Sequence, residues 1–272
     1  MSYKVIRLDI NEKVAKVTLN RPEKRNAMSP ELTLEIVRLL DELRYRKDIN
    51  VLVITGAGDS FCAGMDLKEF FAKLKMQDPE QFQRIYEIAT EWRGRTLYHY
   101  PKVTIAMVNG WCFGGGLPIV EGCDLAVAAD EAVFGLSEIN FGLFPGGTVS
   151  KSISRVLRPK DAMYYALTGE TFDGRRAAEI GFVNFSVPRA QLEEKTMELA
   201  AKLAGKDPAA LRATKEGQRH SLEMPWDSAI NYAYAKEQEV TLAQDGQWVK
   251  TNIPDFIKGQ YKPGLEGHES VR

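Results

Sequence analysis

Cysteine and histidine are scarce in this chain, three of each among 272 residues. Cys62, Cys112 and Cys123 are too few and too scattered for a disulfide framework, which points to a reducing compartment, the cytoplasm. His99, His220 and His268 stand far apart and form no metal-ligand pair, so no metal and no redox cofactor is expected. Long apolar runs are missing too. No stretch of about 18 apolar residues exists, so no transmembrane helix is expected. The opening "MSYKVIRLDINEKVAKVTL" alternates charged and apolar residues and has no apolar core of signal-peptide length. Nor is there an excess of either charge. A net charge of -1 offers no broad basic face to nucleic acid or to a membrane surface.

What remains is an ordinary globular composition, 44% hydrophobic and 27% charged. The length allows one large domain, or a domain with a smaller appendage. Two alternating segments, Lys4–Leu8 and Val14–Leu19, predict a hairpin. "SPEL" offers Ser29 as N-cap and Pro30 as first residue of an amphipathic helix running to about Arg46. "NVLVITG" and "KVTIAMVNG" read as buried strands, with a polar helical region from about Pro79 to Tyr98 between them. "CDLAVAAD" and "AVFGL" are two further short strands. Beyond Pro145 helix signals dominate, interrupted by one strand at "FVNFSV". The alternation predicts an α/β fold of stacked β-β-α turns with a mostly parallel sheet over residues 1–188, and a helical region over 189–272. The tail "GQYKPGLEGHESVR" reads as loosely held.

The chemistry-bearing stretch is "TIAMVNGWCFGGGLPIVEGCDLAV", with Gly114, Gly115 and Gly116 in its middle. Consecutive glycines give up packing and are costly to order. A phosphate loop would need a Lys-Ser/Thr pair after the glycines, and Leu117 and Pro118 stand there instead. The nearest dinucleotide fingerprint, Gly56 and Gly58 in "VLVITGAGDSF", has Phe61 at its third glycine position. A tight turn would explain one or two of the glycines. The other reading is an oxyanion site. Helix-start N–H groups are unpaired and partly positive, and bare backbone lets a carbonyl oxygen come close. "SFCAGMDLKEF" supplies a second donor of the same kind, the Met65 N–H ahead of a helix that begins near Asp66.

Five motifs, "TLNRPEKRNAMSPEL", "ITGAGDSFCAGMDL", "AMVNGWCFGGG", "CDLAVAADEAVFGLSEINFGLFPGG" and "ALTGETFDGRRAAEIGFVN", occur in the order seen in the crotonase (enoyl-CoA hydratase/isomerase) superfamily, and the chain resembles it over nearly its whole length. "AGMDLKEFF", "FGLSEINFG" and "YAYAK" resemble the hydroxycinnamoyl-CoA hydratase-lyase branch, whose members turn feruloyl- or 4-coumaroyl-CoA into an aromatic aldehyde and acetyl-CoA. The resemblance implies a crotonase spiral, an acyl-CoA substrate with no further cofactor, and a homotrimer or dimer of trimers. It implies that the Met65 and Gly115 N–H groups hold the thioester carbonyl, that Glu138 is the acid/base carboxylate, and that Tyr234 meets the substrate phenol. Lys24, Ala63, Leu67, Ser137 and Phe141 match positions lining the CoA or acyl site. At two positions the chain departs from the pattern. Pro118 stands where ordinary hydratases carry a second glutamate and where this branch tends to carry serine. Phe70 stands where the branch tends to carry a second phenol-binding tyrosine. Both are substrate-site candidates for that reason.

Each of these residues has a plainer reading. Glu is usually exposed; in "FGLSEINFGLF" its setting is apolar, which would raise its pKa into a useful range. Tyr234 lies among Tyr232, Trp226 and Ala235, where packing is the commoner role. Arg21, Lys24 and Arg25 fit a solvated loop, yet the phosphates of CoA need local cations, and Lys24 is favoured for that contact. Cys62 and Cys112 lack an activating base nearby in sequence and read as small buried residues. Two alternatives stay open: a plain enoyl-CoA hydratase or isomerase, and a non-catalytic acyl-CoA-binding protein.

Overall fold

The computed structural model describes residues 3–260 and Gly264. His268 and most of the tail read as loosely held lie outside the described residues. The hairpin forms as β1 (Ile6–Asn11) and β2 (Val14–Leu19), turning through Glu12 at φ 50°. Ser29 caps the helix Pro30–Arg44 by accepting a hydrogen bond from the Leu32 N–H at 3.1 Å. That helix buries Leu32, Ile36, Leu39, Leu40 and Leu43, an i, i+4, i+7 stripe.

β3 (Val51–Gly56) and β5 (Val103–Val108) are buried along their whole length. This is why both read as continuous apolar runs: parallel strands covered on two faces need no alternation. With β7 (Leu125–Ala129) and β10 (Phe185–Val187) they complete a sheet ordered β1-β2-β3-β5-β7-β10, parallel from β2 onward. A second sheet is built from three-residue strands, β4 (Ser60–Cys62), β6 (Trp111–Phe113), β8 (Val133–Gly135) and β9 (Thr171–Asp173), in that order. The chain lays β3 in the first sheet and β4 in the second, then repeats the step with β5 and β6 and with β7 and β8. That repeated step is the β-β-α spiral.

Strands end with β10, and only helices follow among the described residues. Compactness divides the chain one helix later, into residues 1–206 and 207–272. The helix Arg189–Ala204 belongs to the first unit because it packs on β2, β3, β5, β7 and β10. The second unit contains the paired helices Pro208–Ser221 and Trp226–Ala243. Among the described residues no helix is long and apolar enough to cross a membrane.

Candidate functional site

A cavity of about 800 Å³ opens in the first unit, where β4, β6 and β8 end. Its first corner is the loop after β2. Arg25 and Asn26 both take positive φ, 48° and 54°. Asn26 holds this turn from inside: its amide donates to Ala57 O at 2.9 Å and Ser60 O at 2.7 Å, and its carbonyl accepts from Arg21 N at 2.9 Å. Arg21 is used up structurally, paired with Asp66 at 3.0 Å. Asp66 in turn caps the following helical turn by accepting from the Lys68 and Glu69 N–H groups. Arg25 lies on the cavity wall with its guanidinium 4.8 Å from the Trp111 ring, and Trp111 stacks on Phe113 at 5.4 Å. Lys24 is exposed on the same loop and is not part of the wall.

The second corner is the exit from β4. Met28 N–H donates to Gly64 O, and Asp66 N–H donates to Met28 O, both at 2.8 Å. A parallel bridge that engages residues 64 and 66 leaves the Met65 N–H on the opposite side of the strand. The third corner is the exit from β6, where Gly114–Gly116 make a 3₁₀ turn into the helix Leu117–Gly122. The two corners adjoin: a Cβ added at Gly64 would lie 3.2 Å from Gly115 N. Met65, one residue ahead of the N-cap Asp66, and Gly115, in the 3₁₀ turn that leads into the helix, thus line the same cavity.

The bare backbone of the triplet has its reason in its neighbours. Gly114 has φ +46°, and a Cβ there would sit 2.8 Å from Glu138 Oε1. At Gly115 a Cβ would sit 2.4 Å from an Arg93 guanidinium nitrogen. Glu138 itself lies in the 3₁₀ turn Ser137–Phe141 after β8, closed by Gly142 at φ 70° and by a Leu143 N–H bond to Glu138 O at 3.0 Å. Its Oε2 is buried and has no hydrogen-bond partner among the described residues. Burial raises its pKa above the ordinary carboxylate value, against a smaller lowering effect of a backbone hydrogen bond. Glu138 is the one carboxylate among the described residues of the wall.

Ala63, Met65, Leu67, Gly115, Ser137, Glu138 and Phe141 thus share one cavity. The other candidates lie elsewhere. Pro118 is buried in the helix Leu117–Gly122 and off the wall. Phe70 is 0% exposed; it packs with Ile85 and Ala89 behind the wall, and its neighbour Phe71 faces the cavity instead. Tyr234 is 63% exposed on the helix Trp226–Ala243, in the second unit. Cys62 and Cys112 are wholly buried beside the triplet. Burial pushes the Cys62 thiol up to about 11 and raises Cys112 as well, so neither is an activated nucleophile.

Among the wall residues that escape the sequence reading are Phe71, Tyr86 and Arg93. Phe82 stacks on Tyr86 at 5.5 Å, and Phe71 meets Tyr86 edge-on at 6.2 Å. The signal was present as Phe82, Tyr86, Ala89 and Arg93 at helical spacing, an amphipathic stripe that ends in a cation. Among the described residues no group of His, Cys, Asp and Glu is disposed to hold a metal ion.

The family model for enoyl-CoA hydratase/isomerase matches residues 9–250. The chain is 44% identical to a hydroxycinnamoyl-CoA hydratase-lyase of Pseudomonas fluorescens, over 98% of this chain and 97% of that protein. It is 33% identical to an (E)-benzylidenesuccinyl-CoA hydratase of Thauera aromatica, over 84% of this chain and 88% of that one. A solved enoyl-CoA hydratase structure from Bacillus anthracis superimposes with a TM-score of 0.85 at 28% identity, covering 94% and 97% of the two chains. With the spiral in place, these matches identify the chain as an enzyme of the enoyl-CoA hydratase/isomerase family.

Proposed function

We propose that this enzyme hydrates a 4-hydroxycinnamoyl-CoA, such as feruloyl- or 4-coumaroyl-CoA, and then cleaves the adduct to an aromatic aldehyde and acetyl-CoA. The observation that carries the reading is the single carboxylate on the described wall, Glu138, whose buried oxygen has no partner among the described residues and which shares the cavity with Met65 and Gly115. Its aromatic wall and the 44% identity to a hydroxycinnamoyl-CoA hydratase-lyase support the choice of substrate.

In the proposed course the Met65 and Gly115 N–H groups hold the thioester oxygen. Glu138 takes a proton from water as its oxygen bonds to the β-carbon, and the alkene electron pair moves into an enolate. Protonation of the α-carbon by the Glu138 carboxylic acid gives the β-hydroxyacyl thioester. The same carboxylate then takes the β-hydroxyl proton. The Cα–Cβ bond breaks, its electron pair returns to the thioester as an acetyl-CoA enolate, and the aldehyde leaves. Return of the proton from Glu138 completes acetyl-CoA. One carboxylate serves both halves, which suits Pro118 at the position of a second glutamate. Lys24 and Arg25 supply cations for the phosphates of CoA, and Ala63, Leu67 and Ser137 line its thioester end. Phe141 belongs to the acyl side, and Phe70, buried behind the wall, backs the residues that line it. A homotrimer or dimer of trimers is part of the proposal, checked by a light-scattering mass of three or six chains.

Tyr234 is assigned to the substrate phenol. A site that hydrogen-bonds a hydroxyl discriminates strongly against the analogue lacking it. Cinnamoyl-CoA should therefore be a poor substrate beside 4-coumaroyl-CoA, and Tyr234→Phe should narrow the gap in kcat/KM. Equal turnover of the two thioesters by the unmodified enzyme would show that the phenol is not read, and would favour a plain hydratase.

A further inference from the structure

Arg93 is 3% exposed, lines the cavity, and has no carboxylate partner among the described residues. Its Nε–H donates to Ala89 O at 2.6 Å and its Nη1–H donates to Gly115 O at 2.9 Å. A buried, unpaired cation is costly, and proteins normally neutralise one with an acid. The backbone here is built to hold it. Helix Pro79–Glu91 gives way to a π-turn, Trp92–Thr96, at this residue. A Cβ at Gly122 would meet Arg93 O at 2.6 Å, and one at Gly94 would meet the Thr148 methyl at 2.4 Å, so the turn is seated tightly on its neighbours. Single π-turns inside helices recur at functional sites.

We propose that Arg93 is a positioning residue for the oxyanion corner: by holding the Gly115 carbonyl it pins the glycine turn one peptide beyond the Gly115 N–H that meets the substrate oxygen, and its charge, paired with no carboxylate among the described residues, is matched when negative charge develops on that oxygen. The geometry explains why Gly115 must be glycine, since any side chain would displace the guanidinium. An interaction that is unbalanced in the free enzyme and balanced with the enolate lowers the barrier rather than tightening ground-state binding. Burial holds Arg93 down to about 10, which keeps it protonated at neutral pH.

The inference rests on the hydration reading of the same cavity, and its test is separable from cleavage. The saturated thioester 3-(4-hydroxyphenyl)propionyl-CoA has no alkene to hydrate, and the infrared band of its carbonyl reports polarisation in the bound state. With the unmodified enzyme the band should fall below its solution frequency. In Arg93→Gln it should return most of the way, with kcat for the unsaturated substrate down about 10-fold to 100-fold and KM within about threefold. Arg93→Lys keeps the charge and should retain part of the shift. Thermal unfolding of Arg93→Gln should occur no lower than in the unmodified protein, since a desolvated cation has been removed. An unshifted band with normal kcat in Arg93→Gln would overturn the proposal. So would equal loss in both variants together with a lowered unfolding temperature, which would make the role one of packing. If Arg93→Gln does not fold, Arg93→Lys decides: a retained band shift supports the proposal and its complete loss overturns it.

Discussion

Glu138→Gln should reduce turnover by about 10²-fold or more while leaving thioester binding near normal, because the amide keeps the shape and loses the proton transfer. The expectation follows from position. Glu138 is the one carboxylate on the described wall, its Oε2 has no partner among the described residues, and its Oε1 lies against the bare Gly114 backbone. As a base it must be ionised, so the rate should rise with pH through a pKa above the ordinary carboxylate value. Stability moves the other way. A raised carboxylate pKa favours the folded state below the unfolded-state pKa, and this advantage is lost as pH rises through the folded value. At neutral pH the glutamine variant should therefore unfold at the same or a higher temperature, with the difference fading as pH falls below the ordinary carboxylate range. Near-normal turnover in Glu138→Gln would move the acid/base role to another residue.

Gly114→Ala should be nearly as damaging. The position has φ +46°, and the new methyl would sit 2.8 Å from Glu138 Oε1. A non-glycine residue held in this region costs roughly 1–3 kcal/mol. The contact must also move the carboxylate or the glycine turn, and small misplacements of a reacting group can cost about 10²-fold in rate. We expect a lowered unfolding temperature and a turnover loss approaching that of Glu138→Gln. Because both changes act through one carboxylate, the double variant should lose little more turnover than Glu138→Gln alone. Multiplicative losses would show that Gly114 acts independently of Glu138.

The parts of this molecule that the sequence states openly are those with one dominant physical cause. β3 and β5 are buried on both faces, so their apolar runs admit little else. Ser29 and Pro30 mark a helix start because the orphan N–H groups there need an acceptor. The second sheet was hidden because β4, β6 and β9 are three residues each, too short for alternation to show. At the site, small residues at strand exits pointed to an oxyanion reading, the family resemblance implied the roles of Met65, Gly115 and Glu138, and all three residues line the one cavity. Phe70 and Phe71 differ by one step of helical phase, which depends on a π-turn over Leu67–Leu74 that no propensity announces. Arg25 rather than its neighbour Lys24 lines the cavity because the loop passes through positive φ at Arg25. Arg93, in "EWRGRT", has the look of a solvated charge run. Only the packing of that turn shows it to be buried.

The central claim is carbon–carbon cleavage at a one-carboxylate site. Its most direct test is product analysis with feruloyl-CoA, 4-coumaroyl-CoA and crotonyl-CoA incubated side by side with the purified enzyme. The expected result is equimolar acetyl-CoA and aromatic aldehyde from the first two, with little or no conversion of crotonyl-CoA. Hydration of crotonyl-CoA with no acetyl-CoA released from either aromatic thioester would contradict the account and make this a plain enoyl-CoA hydratase.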